Sequence, residues 1–205
     1  MKVDIQDVLF WMDAIRNSDD KYRTLESFWK GQVNSKVWLA ENLIGFSIHY
    51  GFVPVRPLNI VIYGGWNGVL ASILFNSNIA VNSITSVDID PVCEDIANTV
   101  NKRQEMQGKF SAVTADMCEY TTNADVVINT SCEHITQEQY EQWLSNQPDD
   151  ALFVIQSNNY FELEEHIRCA TDLDNFMRMS KIKPYWRGEF ETPKYTRYMI
   201  IGKKK

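Results

Sequence analysis

Residues Asn59-Ile60-Val61-Ile62-Tyr63-Gly64-Gly65-Trp66-Asn67-Gly68-Val69-Leu70 join a β-branched apolar run to a glycine turn and then to a new apolar segment. A short unbroken run of Val and Ile suits a strand buried on both faces. Glycines directly after it let the backbone turn sharply and approach a ligand closely, and the helix that follows starts with free N–H groups. Twenty residues past Gly68 stands the end of a second apolar run, Ser86-Val87-Asp88-Ile89-Asp90-Pro91, with proline placed to begin a helix.

The same alternation continues outward from these two segments. Strands are expected at Asn59–Tyr63, Ile84–Asp88, Phe110–Thr114, Ala124–Asn129 and Leu152–Gln156, with helices at Val69–Phe75, Val92–Gln107, Gln137–Ser145 and Glu162–Ser180. The stretch Tyr185–Gly202 carries two further strands around the turn-like Glu191–Lys194, so the last strand is expected to enter antiparallel. Before residue 57 the pattern is helical only: Ile5, Val8, Leu9, Met12 and Ile15, then Tyr22, Leu25, Phe28 and Trp29, then Val37, Leu39, Leu43 and Phe46. The expected architecture is α/β, a mostly parallel Rossmann-like sheet flanked by helices with an antiparallel last strand. It divides into an N-terminal helical cap, residues 1–56, and a sheet domain, residues 57–205.

The 205 residues are 44% hydrophobic, enough to bury a core without disulfides or a structural metal. Cys93, Cys118, Cys132 and Cys169 are far apart, with no C-x-x-C pair and no clustered histidines, so no metal site is expected. Asp4, Asp7 and Asp13 interrupt the apolar N-terminus, and no apolar run reaches membrane-spanning length. A cytoplasmic protein with reduced thiols and no membrane partner is expected. The net charge of −7 divides unevenly: residues 1–56 are neutral, residues 57–167 carry three basic and sixteen acidic side chains, and residues 168–205 carry ten basic and four acidic ones.

In an open α/β sheet, ligands bind beyond the carboxyl ends of the strands, which gives weight to the residues after each one. Asp88 is placed to accept from both hydroxyls of a ribose; the alternative, capping the helix at Pro91, suits Asp90 better. After the third strand, Ala115-Asp116-Met117 offers a carboxylate and a thioether to a planar ring, or Asp116 organises the following turn. The fourth strand opens into Asn129-Thr130-Ser131-Cys132-Glu133-His134-Ile135. His134 offers an imidazole that can take a proton from an acceptor, or can pack at a helix start.

Gly64 and Gly68, Asp88 and Asp116, placed in order after strands one to three, resemble the class I S-adenosylmethionine-dependent methyltransferases over about residues 57 to 202. The resemblance implies that S-adenosyl-L-methionine is the cofactor. Tyr63, Gly64, Gly65, Trp66 and Gly68 would wrap its methionine part, Asp88 and Ile89 would hold the ribose, and Ala115, Asp116 and Met117 would border the adenine. Asn129 and Ser131 would complete the site, and Glu133 and His134 would face the acceptor as the catalytic pair. Two positions depart from the family's pattern: its usual acid two residues before the first glycine is Ile62 here, and its middle glycine is Trp66.

The expected activity is methyl transfer to a small-molecule acceptor. The basic C-terminal segment, in which Arg187 and Arg197 interleave with Tyr185, Trp186, Tyr195 and Tyr198, also suits a nucleic-acid acceptor. A non-catalytic cofactor-binding protein is the third reading. Trp11, Trp29, Trp38, Tyr22, Tyr50 and His49 put large rings in the cap, where the family often builds its acceptor pocket.

Overall fold

The computed structural model describes residues 2–49 and 56–205. Seven strands form one sheet: β1 (Leu58–Tyr63), β2 (Val81–Asp88), β3 (Phe110–Thr114), β4 (Val126–Asn129), β5 (Leu152–Asn158), β6 (Ile182–Glu191) and β7 (Thr196–Lys204). Their order is β3-β2-β1-β4-β5-β7-β6. The pairs from β3 to β5 are parallel, while β7 runs antiparallel to both β5 and β6. The order reverses at β1, whose neighbours are β2 and β4, so a crevice opens between the loops that leave β1 and β4.

Period-two alternation divides the sheet's side chains between two cores. Ile60 and Ile62 of β1, Ile128 of β4, Val154 of β5 and Ile201 of β7 pack on one face with Leu39, Leu43 and Leu74. Val61 and Tyr63, Val127, Phe153 and Ile200 pack on the other with Tyr140, Trp143 and Phe176. Helices therefore cover both faces. α3 (Lys30–His49) and α4 (Val69–Phe75) lie over the first face, while α7 (Gln137–Ser145) and α8 (Leu173–Ser180) lie over the second. α7 begins with a capping box in which Thr136 and Gln139 satisfy each other's backbone N–H.

The N-terminal helix α1 (Ile5–Asn17) forms where expected but turns its apolar stripe outward: Ile5, Leu9 and Met12 are exposed. Its buried residues are Ala14 and Asp7, the latter 1% exposed and taking a bidentate ion pair from Arg103 at 2.8 and 2.7 Å and a 2.8 Å hydrogen bond from Asn76. Burial pushes the Asp7 carboxyl up, but the bonds from Arg103 and Asn76 outweigh it and leave it below the ordinary aspartate value. The Trp11 indole donates to Ser72 at 3.2 Å. Next, α2 (Lys21–Glu26) sends Arg23 to Asp90 at 2.5 Å, tying the helix to the end of β2. Tyr50 lies outside the described residues.

Two expected helices are shorter than the sequence pattern. Val92–Gln107 divides into α5 (Val92–Val100) and α6 (Lys102–Glu105), because the buried Asn101 leaves helical geometry and donates to the Gly68 and Ala97 carbonyls, both at 3.0 Å. Of Glu162–Ser180 only α8 is helical, started by Asp172, which accepts from the Asn175 N–H at 2.7 Å. The chain from 159 to 172 is stapled to the strand ends instead. Arg168 N–H donates to Glu133 O, Ala170 N–H to Asn158 O, and Tyr160 N–H to the Asn158 side chain. Those bonds satisfy backbone groups that a helix would otherwise have paired.

Candidate functional site

A cleft of about 770 Å³ opens beyond the carboxyl ends of β1 to β5, within the size range of small-molecule sites. Its first wall is the turn after β1. Gly64 has φ +62°, and a Cβ there would sit 2.2 Å from Ser131 Oγ and 2.5 Å from Ser131 Cβ, so the turn admits no side chain without moving the β4 loop. The next turn residue with positive φ is Trp66, at 47°. An L side chain in this region is strained, and the Asp88 carboxylate holds the residue there by accepting the Trp66 N–H at 2.8 Å.

Asp88 accepts the Asp90 N–H at 3.1 Å through its other oxygen, while Asp90 caps α5 by accepting from Val92 N–H at 3.0 Å. A carboxylate has about four lone-pair sites, so Asp88 keeps acceptor capacity toward the cleft. Beside it, Asp116 accepts from Cys118 N–H at 2.8 Å, organising its own turn while lining the cleft with Ala115 and Met117.

The second wall is built on buried charge. Glu133, 2% exposed, accepts from Asn158 Nδ2 at 2.6 Å and from Arg197 Nη2 at 3.3 Å through one oxygen; its other oxygen is buried with no partner among the described residues. Arg197 also donates to the Thr130 carbonyl at 3.2 Å. From the cap, Lys36 reaches this wall, donating to Gln32 at 2.9 Å. Burial pushes the Lys36 ammonium down to about 7, and the charge of Arg197 adds to the shift.

The cover of this wall is the 159–172 chain. It brings His166 to His134, with ring centroids 4.7 Å apart and planes at 82°. Cys132 beneath them is a poor nucleophile, because burial pushes its thiol up to about 12.

Gly64, Gly65, Trp66, Asp88, Ile89, Ala115, Asp116, Met117, Ser131, Glu133 and His134 therefore all line one cleft. Three expected site residues do not line it. Tyr63 follows the strand alternation into the opposite core, its hydroxyl 2.8 Å from Gln147 and 2.9 Å from the Tyr120 carbonyl. Gly68 serves helix packing, since a Cβ there would sit 2.6 Å from Asn101 Nδ2 and 3.0 Å from Ala97 Cβ. Asn129 spends its side chain on Ser131 N–H at 3.0 Å and on the Met117 sulfur at 3.6 Å.

The cap reaches the cleft through Arg23, Glu26, Gln32, Ser35 and Lys36, not through its rings. Trp38 packs on Phe190, Trp11 packs on Phe28, and Tyr22 and Trp29 are exposed. Lys36 and His166 were not expected at the site, and Arg197, expected on a basic C-terminal face, is instead buried against Glu133. Only His166 carried a signal: the tripeptide Glu-His-Ile occurs twice, at 133–135 and 165–167.

No protein-family model matches the chain, and no curated protein matches it by sequence. Solved structures do. Magnesium protoporphyrin IX methyltransferase from Synechocystis PCC 6803 with bound SAH superposes with TM-score 0.64 at 12% identity, over 98% of this chain and 94% of that one. The N-methyltransferase NodS from Bradyrhizobium japonicum WM9 gives 0.60 at 10% identity, over 85% and 95%. The fold is that of the Rossmann-like methyltransferases. A ribosomal protein L11 methylase from Lactobacillus delbrueckii subsp. bulgaricus shares the same fold, at TM-score 0.54, 13% identity and 86% and 81% coverage, so a common methyltransferase architecture spans unlike acceptors. Among the described residues, no helix is long and apolar enough to cross a membrane.

Proposed function

We propose that the chain is an S-adenosylmethionine-dependent methyltransferase acting on a small molecule. The observation that carries this reading is the convergence of the Gly64 turn, Asp88, Asp116 and Ser131 on one cleft at the sheet's reversal point. A turn that excludes a Cβ at Gly64 suits close backbone approach by the cofactor's methionine part, and the spare acceptor capacity of Asp88 suits its ribose. When bound, the cofactor supplies a methyl group on a sulfonium, whose sulfur keeps the electron pair as the methyl passes to the acceptor atom.

The chain's own tasks are then to align the acceptor, exclude water and, for a protonated acceptor, remove one proton. His134 and Lys36 border the cleft, and Lys36, whose ammonium burial pushes down to about 7, can take that proton. Glu133 is committed to Asn158 and Arg197 through one oxygen, which makes it a positioning group for this wall.

Support for a nucleic-acid acceptor is reduced by the placement of the basic segment. Arg168 and Arg197 are buried, and Lys181, Arg187 and Lys204 pair with Glu141, Asp174 and Asp149. Calorimetric titration with S-adenosylmethionine and S-adenosylhomocysteine tests the reading; folded protein that binds neither overturns it. Asp88→Ala removes charge-assisted hydrogen bonds contributing ~1.5 to 3 kcal/mol each, so affinity for both is expected to fall by roughly two orders of magnitude. An unchanged affinity refutes the ribose role.

A further inference from the structure

The two histidines of the second wall lie beside the buried carboxylate. Glu133, His134 and His166 each offer a ligand atom, and these atoms lie within 4.8 Å of one another. Ligands held at the ordinary zinc distances around one ion stand ~3 to 4 Å apart, so small side-chain movements close the set. Two further observations point to an ion. One Glu133 oxygen is buried without a hydrogen-bond partner among the described residues, an arrangement that costs free energy unless something binds there. His166 Nδ1 lies 2.8 Å from the Tyr160 carbonyl, which can only accept, so Nδ1 is the donor and Nε2 is the ring nitrogen that can serve as a ligand.

We propose that Glu133, His134 and His166 bind one divalent transition-metal ion at the acceptor end of the cleft. Two imidazoles and one carboxylate favour zinc or a similar first-row ion over magnesium or calcium, which take oxygen ligands. Neighbouring groups already orient two of these ligands: Asn158 and Arg197 hold the other Glu133 oxygen, and the Tyr160 carbonyl accepts from His166 Nδ1. The positive charge nearest this carboxylate is Arg197, 3.3 Å from its partnered oxygen.

Three protein ligands leave at least one coordination position open to the cleft. The site itself rests on geometry alone. Its use rests on the methyltransferase reading: the open position would select acceptors that present an oxygen or nitrogen able to coordinate a metal, and would fix that atom near the transferred methyl.

The test is titration of the untagged full chain with Zn2+ by calorimetry and with Co2+ by visible absorption, with S-adenosylhomocysteine binding measured on the same samples. One ion per chain is expected, with d–d absorption from Co2+. His134→Ala and His166→Ala, both on the cleft surface, should weaken binding at least tenfold, while His49→Ala, the third histidine of the chain, should leave it unchanged. Absence of binding in folded protein, or wild-type affinity in both cleft variants, overturns the site. Loss of binding in Cys169→Ser with a cobalt–thiolate charge-transfer band overturns the ligand set. Metal binding without S-adenosylhomocysteine binding would leave the site standing and defeat the methyltransferase reading; the reverse result would do the opposite.

Discussion

Along the β1–β2 side of the cleft the lining groups come from turns, held mainly by carboxylates that accept from backbone N–H groups. Asp88 holds Trp66, Asp90 caps α5, and Gly64 makes room for the loop. Along the β4–β5 side the groups are side chains whose partners lie on other elements: the buried Glu133 with Arg197 and Asn158, and the exposed His134 with His166. The first wall can lose a member and keep its shape. The second is a network in which removing one charge strands another, because low dielectric makes an unpaired buried ion far costlier than an unpaired surface one.

That contrast can be broken most directly at Glu133. Glu133→Ala leaves Arg197 buried and unpaired, and urea denaturation is expected to show a loss of ~3 to 5 kcal/mol. Adding Arg197→Met should recover much of it; a double variant no more stable than the single one would show that the ion pair does not organise this wall.

The anchoring of the cap is the next largest effect. Asp7→Ala removes a buried carboxylate whose partner Arg103 is itself about a third exposed, so the expected cost is ~2 kcal/mol, with proteolysis of the N-terminal helices as the local readout. Because Asp7 is held below its unfolded value, its stabilisation is complete above the ordinary aspartate pKa and disappears as pH falls through the folded one. Acid should therefore narrow the stability gap between wild type and Asp7→Ala; a gap constant down to pH 2 contradicts the ion pair.

The smallest effect separates the walls by sign. Trp66→Gly relieves a left-handed backbone and should stabilise the free protein by ~0.5 to 1 kcal/mol, after allowing for the greater unfolded-state freedom of glycine. A destabilised variant would mean that packing of the indole outweighs the strain.

Much of the fold was legible because it depends on local chemistry. Apolar runs of strand length, Pro91 at a helix start, Asp90 as a cap and glycines after β1 each act over a few residues, and the boundaries expected for Val69–Phe75, Phe110–Thr114 and Gln137–Ser145 match the structure. The first wall of the cleft was legible for the same reason. Periodicity failed where a buried polar group set the geometry. Asn101 broke a helix, and the strand-end staples around Asn158 kept 159–172 from forming another. On α1 the apolar spacing was correct for a helix but silent about which face turns inward, since Asp7 found Arg103 and Asn76 across the fold.

The amino-acid sequence by itself determined the strand and helix order, the glycine turn after β1 and the carboxylate after β2, because all of these follow from neighbours along the chain. Only the tertiary structure decided that Lys36 of the cap faces Arg197 of the last strand, that Tyr63 points away from the cleft, and that Glu133, His134 and His166 meet. Those outcomes depend on burial and on charges brought together from separate elements, and neither exists until the sheet has closed the distance between them.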